Sequence, residues 1–244
     1  LDAQEHGVVC TTHHIVSDGW SFDVLSREVS ELYRASEEDR PPALPPLRIQ
    51  YADYAAWQRA SLEQDEERLV TFWKDHLLGA PPVLDLPTDR PRPDVASPRG
   101  ATGRRVLSAS LAAASRELAR EHGVTPFVAL LAAFKVLLAR HSGQEDVVVG
   151  SDFANRSHPE TEPLIGFFVN NLPIRTRLDG RMPFSGLLGK VRESTVGAIA
   201  HQALPFERLV QELDLDRELG YNPVFQVVFA MQDSAREALE LGSS

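Results

Sequence analysis

The sequence lacks the features that define several large classes of protein. Cys10 is the only cysteine among the 244 residues, which excludes an internal disulfide and a multi-cysteine zinc site. No apolar run reaches the roughly 18 residues that a membrane-spanning helix needs. Basic residues number 25 against 35 acidic ones, and the net charge of −10 disfavours binding to nucleic acid or to an anionic membrane. We therefore expect a globular protein of the cytoplasm.

The hydrophobic pattern predicts a mixed α/β fold. Hydrophobic residues make up 43% of the chain and charged residues 25%, which is typical of globular domains. Short β-branched runs, typical of strands, alternate with segments of helical periodicity. The predicted strands cover 7–12, 104–108, 147–149, 167–178 and 224–230, and the predicted helices cover 21–35, 50–78, 110–123, 125–141, 184–202 and 205–213. Ser21, Ser110 and Thr125 are the predicted N-caps of three of these helices.

One proline-rich stretch divides the chain. Residues 80–100 contain six prolines, and proline removes a backbone donor and clashes with the preceding helical turn. This stretch should therefore be extended. We expect the domain boundary to lie within it, with one part at 1–90 and the other at 91–244.

The densest cluster of polar residues runs from His13 to Ser21. It contains two adjacent histidines, His13 and His14, followed by Asp18 and Gly19. Adjacent residues at the end of a strand point in opposite directions, so one imidazole can face a cavity while the other supports the backbone. A neutral imidazole is suited to taking a proton from an amine or a hydroxyl.

Three other interpretations of this cluster remain open. His13, His14 and Asp18 are potential metal ligands, although Asp18-Gly19 breaks any shared helical face and no other strong ligand lies nearby. Ser17 or Ser21 is a potential nucleophile, although neither lies in a Gly-x-Ser-x-Gly elbow. The two histidines are also compatible with a purely structural role at the end of a strand.

Five motifs in order resemble those of the condensation domains of nonribosomal peptide synthetases. The first is His-His-x-x-x-Asp-Gly, formed here by residues 13–19. The others are similar to four further motifs of that family, namely Tyr51-Ala-Asp-Tyr-Ala-Ala-Trp-Gln, Ile165-Gly-Phe-Phe-Val-Asn-Asn-Leu-Pro-Ile-Arg, His201-Gln-Ala-Leu-Pro-Phe-Glu and Tyr221-Asn-Pro-Val-Phe-Gln. Together they extend from residue 13 to residue 226.

The resemblance implies an amide-forming acyltransferase. The implied fold is the chloramphenicol-acetyltransferase-like V of two α/β lobes, here with an incomplete N-terminal lobe because the family has more chain before the first motif. A donor acyl or peptidyl thioester and an acceptor aminoacyl thioester would meet between the lobes. His14 takes the catalytic place, and His13 supports it. Asp18 is expected to pair with Arg156, while Gly19 leaves room for the thioester.

The resemblance also suggests substrate contacts and partners. Ser17, Trp20, Asn170 and Asn171 are expected to line the substrate tunnel, although both asparagines also suit a structural role. The partners would be upstream and downstream peptidyl carrier domains, which present 4'-phosphopantetheine arms, and a neighbouring adenylation domain. We expect no metal or cofactor on the chain itself. The first motif favours joining an L-donor to an L-acceptor. An ester-forming relative and a non-catalytic domain that recruits carriers or tailoring enzymes are the alternatives.

Overall fold

The mixed α/β class predicted from the sequence is confirmed. The computed structural model describes residues 8–93, 97, 99–213 and 221–232. The longer elements of that part of the chain are α1 (Gly19–Glu37), α2 (Tyr51–Leu77), α3 (Ala109–Glu121), α4 (Pro126–Ser142), β1 (Asp146–Phe153), β2 (Asn170–Arg177), α5 (Phe184–Ala200) and α6 (Phe206–Glu212). Two short 3₁₀ helices span His14–Val16 and Pro159–Thr161.

The chain divides into two compact units. Among the described residues, the first unit contains 8–61, 154–169 and residue 232, and the second contains 62–153 and 170–231. Residues 62–90 therefore pack with the second unit, and the late segment 154–169 packs with the first. The expected boundary near residue 90 does not coincide with these divisions. It stays a prediction about the lobes of a complete domain.

The first unit is built around a small aromatic core. Tyr54, Leu164 and Phe168 are buried there, and Ile49 and Tyr51 pack against them. The ring centroids of Tyr54 and Phe168 lie 4.6 Å apart, and those of Tyr51 and Phe168 lie 5.2 Å apart in an edge-to-face arrangement. Such aromatic pairs add about 0.5–1.5 kcal/mol each beyond their buried area. They hold the segment 154–169 against the start of α2.

The second unit contains a two-stranded antiparallel sheet and the larger core. β1 pairs with β2 in a register that places Val149 opposite Ile174, and both side chains are fully buried. α4 and α5 pack together and contribute the buried residues Leu131 and Val191. Gly150 lies against the ring of Phe225. A Cβ at residue 150 would come within 2.2 Å of that ring, so only glycine fits there without a shift of Phe225.

Most predicted helices form, but two begin earlier than expected. Asp18 rather than Ser21 caps α1, and Ser108 rather than Ser110 caps α3, each by accepting a hydrogen bond from the backbone N–H three residues ahead. In both cases the expected N-cap lies inside the first turn. Thr125 caps α4 as predicted, and Gly143 ends that helix in the left-handed conformation, with φ of 72°.

Three of the predicted strands are wrong or incomplete. Residues 8–12 and 104–108 are exposed and irregular, because no neighbouring strand in the described part of the chain pairs with them. Gly7 lies outside the described residues. The run 224–230 forms only one parallel bridge, between Val228 and Gly150. Val224 has a φ of 69°, which interrupts the extended backbone at the start of that run.

Candidate functional site

The two histidines occupy a tight turn immediately before α1, and they behave differently. The His13 ring folds back, and its Nδ1 accepts a hydrogen bond of 3.0 Å from the backbone N–H of Ile15. Neutral His13 therefore carries its proton on Nε2. The His14 ring is exposed and lies edge-to-face with Phe167, at a centroid separation of 5.3 Å. One imidazole thus bonds to the backbone and the other is exposed, and a cavity in front of His14 stays a prediction.

Asp18 connects this turn to the rest of the first unit. Its carboxylate is buried, with 4% exposure. Oδ1 accepts hydrogen bonds from the backbone N–H and the hydroxyl of Ser21, at 2.8 and 2.7 Å, and Oδ2 accepts one of 3.0 Å from the backbone N–H of Phe168. The same carboxylate therefore caps α1 and fixes a segment 150 residues further along the chain.

Arg156 is the charged partner of Asp18, as the resemblance predicts. Its Nη2 lies 3.3 Å from Asp18 Oδ1, and both side chains are almost completely buried. Nη1 donates to the backbone carbonyls of Thr161 and Leu164. The guanidinium carbon lies 3.9 Å from the centre of the Phe168 ring, a cation–π distance. Arg156 thus links α1 to the loop in which Arg156 itself lies.

The electrostatics of this cluster favour the ionised pair. Burial alone would raise the pKa of Asp18, but the hydrogen bonds from Ser21 and Phe168 and the charge of Arg156 bring that pKa below its ordinary value of 3.8. Burial lowers the pKa of Arg156, and Asp18 opposes that change. Both groups are therefore charged at neutral pH, where they satisfy each other.

Ser21 has a larger role than the helix cap that the sequence indicates. Its buried hydroxyl accepts hydrogen bonds from the backbone N–H of Gly166, at 3.0 Å, and from Arg156, at 3.2 Å. It has one proton to donate, and two acceptors lie within reach, Asp18 Oδ1 at 2.7 Å and the Gly166 carbonyl at 2.8 Å. The hydroxyl is therefore fully engaged and does not act as a nucleophile.

Tyr51 holds the segment Gly166–Phe168 from the opposite side. Its hydroxyl donates a hydrogen bond of 2.8 Å to the carbonyl of Phe167. Its ring lies so close to Gly166 that a Cβ there would come within 2.2 Å of it. Burial and the negative charge of Asp18 raise the pKa of Tyr51, so the hydroxyl keeps its proton and remains a donor.

The remaining predicted residues of the first motif surround the turn. The Ser17 hydroxyl is buried and lies 2.7 Å from the Thr12 hydroxyl. The Trp20 ring is 43% exposed, and its Nε1 donates to the carbonyl of Glu162. A Cβ at Gly19 would meet no atom of the described residues within 4 Å, so packing against these residues does not require glycine there. These residues are close to His14 in sequence, and their assignment to a substrate passage stays a prediction.

The two asparagines belong to β2 in the second unit. Asn170 donates through Nδ2 to the carbonyls of Gln202 and Leu204, both at 2.8 Å, and its Oδ1 accepts from the backbone N–H of Phe206. Its amide therefore holds the turn before α6, which is the structural role that the sequence also allowed. Asn171 pairs with Asp152 across the sheet. For Asn171 the predicted substrate contact remains untested.

Sequence reasoning missed three contributors to the first unit. Phe167 contacts His14, Tyr51 orients Phe167, and Ser21 binds Gly166. The only local signal was the spacing of Asp18 and Ser21, which suits a cap bonded to the third residue of a helix. The contacts of Ser21 and Tyr51 bridge 145 and 116 residues, and no periodicity within a single sequence reports such pairs.

Two kinds of site are not found in the part of the chain that the structure describes. No three of its histidine, cysteine, aspartate or glutamate side chains are grouped so that they could hold a metal ion. None of its single helices is both long and apolar enough to cross a membrane, and α3 and α4 reach that length and composition only together, across a bend of 106°.

Comparison with known proteins identifies close relatives over nearly the whole chain. The family model described as Condensation domain matches residues 1–242. One linear gramicidin synthase polypeptide from Brevibacillus parabrevis is 51% identical over 239 residues, which are 98% of this chain and 3% of that protein. Phosphinothricin tripeptide synthetase PhsC from Streptomyces viridochromogenes is 50% identical over 234 residues, which are 95% of this chain and 21% of that protein.

A solved structure with the same fold supports this match. The X-domain from teicoplanin biosynthesis superposes with a TM-score of 0.80 and is 32% identical in sequence. The match covers 88% of this chain and 49% of the X-domain chain. The chain thus spans about half of that domain and a small part of each synthetase.

Proposed function

Because the chain belongs to the condensation-domain family, we propose that it catalyses the formation of an amide bond between two carrier-bound substrates. The amine of an acceptor aminoacyl thioester attacks the carbonyl of a donor acyl or peptidyl thioester. The new C–N bond forms and the C–S bond breaks. The amine loses one proton, and the released thiolate takes up one proton to become a free thiol. Relatives named as gramicidin and phosphinothricin tripeptide synthetases support this class of reaction. The first motif favours L-configured donor and acceptor.

The accessible imidazole of His14 is the observation that carries the proposal. Among the described residues no group hydrogen-bonds to this ring, whereas His13, Asp18 and Arg156 are all engaged with the protein. His14 is thus available to contact the attacking amine. A general base at this position contributes typically 10²- to 10⁴-fold in rate, and a group that only positions the amine contributes through orientation.

The neighbouring residues would hold this imidazole in place without reacting. His13 stabilises the turn, and the buried pair of Asp18 and Arg156 fixes the turn to the loop 156–168. The open space at Gly19 would admit the thioester, since no atom of the described residues lies within 4 Å of a Cβ placed there. Ser17, Trp20 and Asn171 are assigned to the substrate passage as part of this proposal.

The substrates would arrive on partner domains. We assign the donor and the acceptor to an upstream and a downstream peptidyl carrier domain, each presenting a 4'-phosphopantetheine arm, with an adenylation domain as neighbour. The chain itself would hold no cofactor. The net charge of −10 argues against nucleic acid as a partner. A cytoplasmic location belongs to the same proposal.

The test replaces His14 in the synthetase that carries this chain. His14→Ala should lower the rate of dipeptide formation from loaded carriers by roughly 10²- to 10⁴-fold, with hydrogen exchange of α1 unchanged. His14→Gln distinguishes a general base from a positioning group, because glutamine can hydrogen-bond to the amine but cannot take its proton. His122→Ala, at an exposed histidine after α3, is the control and should keep full rate.

Three outcomes would contradict the proposal. Unchanged turnover in His14→Ala would remove His14 from the reaction. Ester formation from a hydroxyacyl carrier, in preference to amide formation, would assign the chain to an ester-forming relative of the same fold. A folded protein that forms neither product but still binds carriers or tailoring enzymes would indicate a recruitment function.

A further inference from the structure

The position of the Phe167 side chain differs from that of its neighbours. Gly166 and Phe168 are buried, whereas Phe167 is half-buried and does not belong to the aromatic core. Its ring meets the imidazole of His14 at an interplanar angle of 88°, with the ring centroids 5.3 Å apart. Edge-to-face geometry at this distance is attractive, because the positive edge of one ring faces the negative face of the other.

The backbone that carries Phe167 is fixed at three consecutive residues by side chains from other elements. The hydroxyl of Ser21 in α1 accepts a hydrogen bond from the N–H of Gly166. Tyr51 at the start of α2 donates to the carbonyl of Phe167, and Asp18 accepts from the N–H of Phe168. A segment held in this way fixes the position of the Phe167 backbone and the direction of its Cα–Cβ bond, since moving the backbone would break these hydrogen bonds.

Among the described residues, the His14 ring makes this aromatic contact and no side-chain hydrogen bond. The backbone of His14 is set by the turn, in which the N–H of Val16 bonds to the His13 carbonyl at 3.1 Å. The two side-chain torsions beyond the backbone are not restrained by a hydrogen bond from any described residue. Phe167 is the one aromatic neighbour of the His14 ring in the described part of the chain.

We propose that Phe167 is a positioning residue that selects the orientation of the His14 imidazole, an inference that rests on the proposed function. The ring keeps His14 directed at the attacking amine and does not itself contact the reacting atoms. The stabilisation typical of one aromatic pair corresponds to roughly a two- to tenfold change in the population of one ring orientation. Removal of the aromatic ring should lower kcat by that factor.

The kinetic test compares three variants in the synthetase that carries this chain. Phe167→Leu, which keeps an apolar side chain, should lower kcat for amide formation by roughly two- to tenfold, with KM for both loaded carriers unchanged. Phe167→Tyr keeps the ring and should retain kcat. Phe184→Leu, a partly exposed phenylalanine at the start of α5, is the matched control and should have no effect.

A second measurement does not depend on turnover. Diethyl pyrocarbonate modifies neutral imidazoles. Mass spectrometry measures the rate of this modification at His14, with the rate at His13 as internal reference. Phe167→Leu should raise the rate at His14 relative to His13 by about twofold or more, because the ring loses the side chain that covers one side of it. The Tyr variant and the Phe184→Leu control should not change it.

The two measurements separate this inference from the proposed function. If the unaltered protein forms no amide, the proposed function is wrong, and the modification rate still decides whether Phe167 holds the His14 ring. Equal kcat in Phe167→Leu and the unaltered protein would overturn the inference. An unchanged ratio of His14 to His13 modification would overturn it as well, and so would a Tyr variant as slow as the Leu variant.

Discussion

Neutralising Asp18 tests whether one buried carboxylate holds the first unit together. The change Asp18→Asn keeps the size of the side chain and removes its charge. Arg156 then remains buried without its partner, at a side-chain exposure of 2%. The new amide N–H₂ of Asn also faces a donor, because it must lie either near the Phe168 N–H or near Arg156 and Ser21.

The expected loss follows from the geometry of this site. Removing one partner of a buried ion pair costs about 3–5 kcal/mol, because the remaining charge stays desolvated. That is a large share of the roughly 5–15 kcal/mol that stabilises a typical domain. The same neutralisation in Glu160→Gln affects the ion pair of Arg48 and Glu160, which are 4.0 Å apart and 85% and 41% exposed. It should cost less than about 1 kcal/mol.

Hydrogen exchange of the α1 backbone amides measures this difference inside the first unit. A loss of about 3–5 kcal/mol should accelerate their exchange on the order of 10²- to 10⁴-fold in Asp18→Asn. The folded pKa of Asp18 lies below 3.8, so the contribution of the pair is complete above that pH and is lost as the pH falls through the folded pKa. The difference in α1 exchange rate between Asp18→Asn and the unaltered protein should therefore become smaller in acid. Equal exchange of Asp18→Asn and the unaltered protein at neutral pH would contradict this prediction, and so would an acceleration as small as that in Glu160→Gln.

Two further predictions concern buried lysine and glycine positions. Burial lowers the pKa of Lys135 to about 7 from 10.5, so the unfolded state binds more protons between these values. The free energy of unfolding of the second unit, measured by exchange in α4, should rise from pH 7 to about pH 9, and Lys135→Met should abolish the rise; a flat profile in the unaltered protein would contradict this. Gly166→Ala should destabilise the first unit by about 1–3 kcal/mol, because its Cβ would overlap the Tyr51 ring, whereas Gly19→Ala should leave α1 exchange unchanged. The reverse order of effects would show that the packing argument is wrong.

Local signals in the sequence predicted most helices because their causes are local. The stripe of aromatic and aliphatic residues from Tyr54 to Trp73 lies within α2, and Thr125 followed by Pro126 marks the start of α4. The errors at Ser21 and Ser110 were errors of two or three positions, since several polar residues near a helix start can each accept the first free N–H.

Strands and the site itself depended on information from distant parts of the chain. Residues 104–108 contain two apolar side chains, Val106 and Leu107, and form no strand, because a strand needs a partner and no described segment pairs with them. The pairing of Asp18 with Arg156, 138 residues apart, was predicted only through the resemblance to a family. The contact of Phe167 with His14 was not predicted, because the motif contains two adjacent phenylalanines and only their burial distinguishes them.

The discontinuous first unit has a consequence for the order in which the protein folds during synthesis. Residues 8–61 leave the ribosome before the second unit, but the loop that receives Asp18 and Ser21 follows only after much of that unit has been translated. Until then α1 can form its helical turns, but the carboxylate of Asp18 that caps it has no Arg156 to pair with. Since translation adds roughly 5–20 residues per second, this interval lasts several seconds, far longer than a helix needs to form. During that interval the segment around α1 is therefore open to proteases and chaperones.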